Sequence, residues 1–135
     1  MLNALKVNIA WGDCDEAGLV FYPNYFYWMD SAFHALLKSK GINHRILREK
    51  FGAHGVFIVD IRAQFIAPAS YDQPLRVEAH VADWGTKSFK ISYIGKRKKQ
   101  LIFKSSETRV WIVKAENGKV HAAAIPSAFK KQMKN

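Results

Sequence analysis

Helical spacing is sustained over several turns only once in this chain, from Pro23 to about Lys40, and nearly everything after Gly55 alternates with the period of a strand. Tyr25, Met29, Ala32 and Leu36 fall on one face, with Trp28 and Ala35 beside it. That is the repeat of a helix buried along a wide stripe. Pro23 suits the first turn, where its missing N–H would have no partner in any case. Gly41, just past Lys38 and Lys40, ends the helix after about four turns.

Before the helix, Leu5, Val7, Ile9 and Trp11 alternate with Lys6 and Asn8, which predicts a strand over 4–11. After it, Asn43 caps a short helix that runs to Lys50, with Gly52 as its stop. Strands are then expected over 55–67, 75–84, 87–94 and 101–115, with a return over 119–123. Pro68, Gly85-Thr86 and Asn117-Gly118 mark the turns, the last being a strong hairpin signal. Pro126 opens a short terminal helix. One long helix against a large antiparallel sheet is an α+β domain. The 135 residues, with no linker or repeat, predict a single domain over 1–135. One helix cannot hide so much sheet. The segment Val110-Trp111-Ile112-Val113, apolar on both faces, predicts that another subunit covers the outer face.

Apolar residues make up 49% of the chain, which argues against disorder, and no run is long enough to span a bilayer. The first residues lack the pattern of a secretory leader, and the single cysteine, Cys14, excludes an internal disulfide. A cytoplasmic protein with no membrane partner is expected. Lys and Arg number 21 against 11 Asp and Glu, a net charge of +10 that favours an anionic partner. Nucleic acid is one candidate and a phosphate-bearing substrate is another. The run Lys96-Arg97-Lys98-Lys99 sits between two strand patterns and reads as a solvated hairpin tip.

The segment GDCDEAGLVFYPNYFYWMD, from Gly12 to Asp30, carries the chemistry. Asp13 and Asp15 lie in a glycine-bounded loop just ahead of the helix start. Unpaired N–H groups and the positive end of the dipole are found there. Such a place suits a reaction in which an oxygen becomes negative, such as attack on a thioester carbonyl. Taken alone, Asp15 reads rather as a turn aspartate bonding its own backbone. No His or further acid completes a metal set around Asp13, so no metal is expected and Asp13 holds the loop. Cys14 reads as a small buried side chain.

This segment resembles the opening motif of hotdog-fold acyl-CoA thioesterases, and within them the branch acting on 4-hydroxybenzoyl-CoA. The stretch FIAPASYDQPLRVEAHVADWGTKSF, Phe65 to Phe89, is similar to the family's central strands, and the likeness runs from Val7 to about Pro126. The resemblance implies an antiparallel sheet wrapped around one long central helix. It implies hydrolysis of an aromatic, 4-hydroxybenzoyl-CoA-like thioester to free acid and coenzyme A, with no metal and no cofactor. It also implies a homotetramer, a dimer of dimers, with active sites at the dimer interface. The family's catalytic carboxylate falls on Asp15, as nucleophile or as base on water. Its oxyanion donor falls on the backbone N–H of Tyr22, since Pro23 has none. Gly18, Phe57, Ile58 and Val59 are expected against the substrate, and Lys87 and Ser88 against the coenzyme A phosphates. Gly85 and Thr86 stand where relatives carry arginines, and Glu16 where proline is common. The alternatives are a short aliphatic acyl-CoA or acyl-carrier-protein substrate, a hotdog protein that binds acyl-CoA without cleaving it, and a basic nucleic-acid-binding module. The last is disfavoured because the aromatics sit at core spacing.

Overall fold

The computed structural model describes residues 3–135. Strand β1 (Asn3–Asn8) leads through a single 3-10 turn at Trp11–Asp13 into α1 (Pro23–Ser39) and α2 (His44–Glu49). There follow β2 (Gly55–Phe65), β3 (Pro74–Trp84), β4 (Ser88–Arg97), β5 (Gln100–Lys114), β6 (Val120–Ala122) and α3 (Ser127–Lys134). The strands form one antiparallel sheet in the order β1-β3-β4-β5-β2, with β6 on the end of β5. β1 and β2 are therefore its two edges.

α1 lies against one face of this sheet. Met29, Ala32 and Phe33 are fully buried beneath it. Burial of each large apolar side chain contributes about 1.5–3 kcal/mol, so the stripe seen in the sequence is what holds the helix down. Tyr25, near its start, meets the Phe103 ring at 5.2 Å, and Phe33, two turns on, meets Phe89 at 6.2 Å. The helix thus runs along β5 and β4 from the hairpin end towards the β3–β4 turn. Gly41, at φ +75°, ends it, while the Ile42 and Gly41 amides donate to the Leu37 and Lys38 carbonyls. Asn43 caps α2 by accepting the Ile46 N–H at 2.8 Å.

One expectation changes. The first strand stops at Asn8 instead of reaching Trp11, because the Asp13 carboxylate accepts the Ala10 N–H at 2.8 Å and closes the 3-10 turn. Trp11 swings outward, its ring edge-on to Tyr71 at 5.0 Å. In the run Val110–Val113, Trp111 and Ile112 are buried and Val110 and Val113 half-buried. Trp111 points inward against Phe129 of α3, ring centroids 4.8 Å apart, and Ile112 lies between Gly55 of β2 and Ala122 of β6. The outward positions of β4 and β5 carry Lys90, Ser92, Lys104 and Ser106.

A buried charged network joins α1 to the sheet. Glu107 and Arg109 point inward from β5, 1% and 3% exposed. The Tyr93 hydroxyl donates to Glu107 at 2.9 Å, and Arg109 donates through Nε to Glu107 and through Nη2 to Asp30 of α1 at 2.8 Å. The guanidinium also lies 4.0 Å from the Phe33 ring centroid. The Asp30 carboxyl is held well below the ordinary carboxylate range, most by the His34 imidazole 3.5 Å away and then by Arg109, against an opposing push from burial. Burial, with Glu107 alongside, pushes the Tyr93 phenol up. The sequence carried one sign of this network: two charged residues at alternate, inward positions of a strand face that also carries Phe103 and Trp111.

Candidate active site

The loop ahead of α1 is tied by its own backbone. The Asp15 N–H donates to the Leu19 carbonyl at 2.8 Å, and its carbonyl accepts the Gly18 N–H at 2.9 Å. Gly18 has φ +80°, the left-handed region that favours glycine. Asp15 Oδ1 accepts the Ala17 N–H at 2.9 Å and the Leu19 N–H more weakly at 3.4 Å. Its other oxygen, Oδ2, bonds to no group among the described residues. The side chain is exposed. Asp15 is thus a turn aspartate through one oxygen and an available carboxylate through the other.

Asp13 serves as scaffold. While its carboxylate holds Ala10, its carbonyl accepts the Phe21 N–H at 2.9 Å and the Asn24 side-chain amide at 2.8 Å. Asn24 therefore braces the loop and does not cap the helix. These bonds decide which amide is left over. The Asn24 N–H donates to Phe21 and the Tyr25 N–H to Tyr22. Pro23 has no N–H. The Tyr22 N–H alone in this stretch has no acceptor among the described residues, and it stands at the positive end of a helix of 17 residues. The Tyr22 side chain is exposed. Beside it opens a groove of 330 Å³ whose walls include Leu19, Val20, Tyr25, Phe65 and Ala69. A free amide, a free carboxylate oxygen and an apolar groove are the parts that acyl transfer requires.

The remaining expected residues lie elsewhere in the same chain. Phe57 is opposite Val110 and Val110 is opposite Ser88, so Phe57 and Ser88 share one row, with Lys87 next to it. Tyr25, by contrast, sits at Phe103, which pairs with Phe65. From Val110 to Phe103 is about 23 Å of strand. One chain therefore gathers Asp15, Gly18 and Tyr22 at one end, and Phe57, Ile58, Val59, Lys87 and Ser88 towards the other. Phe57, Ile58 and Val59 are 44%, 47% and 61% exposed on the unpaired edge of β2, at a bulge. His54 is exposed beside Phe57, ring centroids 6.2 Å apart. Cys14 is half-buried, as a small packing residue would be. Among the described residues no group of three or more His, Cys, Asp or Glu is placed to hold a metal ion, and no helix is long and apolar enough to cross a membrane.

Comparison with known proteins places the fold. The chain is 30% identical over 132 residues to 4-hydroxybenzoyl-CoA thioesterase of Pseudomonas sp. (strain CBS-3), covering 93% of this chain and 92% of that one. The crystal structure of that enzyme superposes with a TM-score of 0.87 over 96% of both chains. A gentisyl-coenzyme A thioesterase structure, 31% identical, superposes with a TM-score of 0.81 over 94% of this chain and 98% of that one. A family model described as the thioesterase-like superfamily matches residues 9–133. With the sheet, the central helix and the match over nearly its whole length in agreement, the chain is a hotdog-fold member of the thioesterase-like superfamily, a family of thioester hydrolases.

Proposed function

We propose that this protein hydrolyses an aromatic acyl-CoA of the 4-hydroxybenzoyl kind to the free acid and coenzyme A, with Asp15 as nucleophile and the Tyr22 N–H as oxyanion donor. The observation that carries this reading is that the loop ahead of α1 holds a carboxylate oxygen, on Asp15, and the helix start an amide, on Tyr22, each without a partner among the described residues. Asp15 attacks the thioester carbon, and the carbonyl oxygen, as it becomes negative, is met by the Tyr22 amide. The C–S bond breaks and the thiolate of coenzyme A leaves. Water then opens the mixed anhydride, releasing the acid and restoring Asp15. A donor of this kind contributes roughly 10²–10³ in rate.

The separation of the two groups of site residues supports a dimer. An exposed strand edge bearing Phe57, Ile58 and Val59 is suited to pairing with a second copy of itself. A two-fold antiparallel pairing of β2 with β2 carries the partner's far end towards this chain's Tyr22 end. Phe57, Ile58, Val59, Lys87 and Ser88 then serve the site of the neighbouring copy, with Lys87 against phosphate oxygens. Two such dimers make the homotetramer. A coenzyme A thioester substrate and one unpaired cysteine fit the reducing cytoplasm.

The test is Asp15→Asn assayed on 4-hydroxybenzoyl-CoA. The expected result is a fall in kcat of at least about 100-fold with KM little changed. Turnover near the wild-type rate would refute the mechanism. In heavy-oxygen water, label entering the enzyme carboxylate during a single turnover supports the anhydride. A panel of aromatic and aliphatic acyl-CoAs and acyl-carrier proteins assigns the acyl group.

A further inference from the structure

The edge of the sheet opposite β2 carries a second feature. The register sets Lys6 of β1 opposite Arg76 of β3, and Arg76 opposite Lys96 of β4. Three cations therefore stand side by side across three strands. Like charges directly opposite one another are unfavourable in a sheet. Glu78 relieves Lys96, at 3.6 Å. Lys6 and Arg76 have no ion-pair partner among the described residues. Both line a cavity of 770 Å³, together with Lys40, His80 and Lys134, and no acid among the described residues lines it. The Lys40 ammonium donates to the Asn135 carbonyl oxygen at 3.1 Å. Leu36, Val81 and Trp84 also line it from the α1 face of the sheet, whereas Lys6 and Arg76 stand on the other face, so the cavity wraps the β1 edge.

We infer that this cavity is a second ligand site, distinct from the thioester site, for a small molecule bearing two or more phosphate groups. Four features support the assignment. Its volume lies within the range of pockets that hold small ligands, about 300–1,000 Å³. Its cations are too many for a single carboxylate to balance. Around the sheet edge it offers an indole and aliphatic side chains to the uncharged part of the ligand. It shares no lining residue with the groove at Tyr22, and β1 lies four strand spacings from β2, about 19 Å. A bound polyanion replaces the repulsion between Lys6 and Arg76 with attraction, so binding stabilises the folded chain.

Tripolyphosphate and ADP are suitable probes, measured by titration calorimetry and thermal unfolding at low salt. The expected result is saturable binding, one ligand per chain, with a rise in Tm. The double variant Lys6→Glu and Arg76→Glu is expected to bind at least about tenfold more weakly, as two lost phosphate contacts allow. It should keep a native circular-dichroism spectrum and the wild-type KM for acyl-CoA. Lys87→Glu should bind tripolyphosphate as the wild type does. No saturable binding, or binding undiminished in the double variant, overturns the inference. So does an acyl-CoA KM that rises in that variant, which would make the cavity part of the substrate's own nucleotide cradle. Single-stranded RNA binding that the double variant abolishes, with tripolyphosphate failing to bind, would overturn it in favour of a nucleic acid. The binding measurements need no turnover, so they stand whether or not Asp15 proves to be the nucleophile.

Discussion

At Asp15 one carboxylate oxygen holds the loop through the Ala17 amide, and the other is free. The two readings open in the sequence, turn aspartate and reacting acid, describe different atoms of one side chain. Asp30 was not legible as anything but a helix residue, because its role depends on Arg109, which is 79 positions away in the chain. Its lowered carboxyl has a consequence for stability. A depressed acid contributes stability that is fully present above its unfolded pKa, about 4, and is lost as pH falls through the lower folded value. The Asp30 side chain is 50% exposed, so solvent screening keeps the effect to about 1 kcal/mol. Asp30→Asn should therefore be less stable than the wild type at neutral pH by about that amount, with the gap closing as the pH falls below about 4. Urea unfolding from pH 7 to acid measures this, and a gap independent of pH would contradict it.

Among the elements, β2 has the most to settle. Its edge groups are unpaired, and its exposed apolar side chains would be a liability in a lone chain. Val59, 61% exposed at the bulge, is where a charge should do the most harm. Val59→Asp is expected to shift the protein to monomers in light scattering, with thioesterase activity falling at least about tenfold in parallel. A monomeric variant with full activity would show that each chain holds a complete site. The sequence marked β2 as a strand and Phe57 to Val59 as apolar. That these residues sit on an open edge and not in the core follows from the strand order, which no local pattern contains.

For the molecule as a whole, a net charge of +10 creates a field that draws in anionic ligands and that salt screens. The value of kcat/KM for an acyl-CoA should fall several-fold between about 10 and 300 mM salt, as the screening length shrinks from roughly 30 Å to under 10 Å. The uncharged N-acetylcysteamine thioester of the same acid should show little change. Equal salt dependence for the two substrates would remove the electrostatic contribution. The outer face of the sheet displays lysines and serines, while Trp111 packs inward against Phe129 of α3.

The sequence by itself determined the local structure: one long helix with a wide apolar stripe, antiparallel strands set off by Pro and Gly, and a glycine-bounded acidic loop ahead of a proline-initiated helix. Those features depend on periods and turn chemistry a few residues long, so they are written locally. Only the tertiary structure decided that the Tyr22 amide is left without a partner, that Arg109 reaches Asp30, that Lys6, Arg76 and Lys96 are neighbours, and that Phe57 and Lys87 lie far from Asp15 within one chain. Each of these depends on which strands are adjacent and in what register, which is fixed by how the whole core closes.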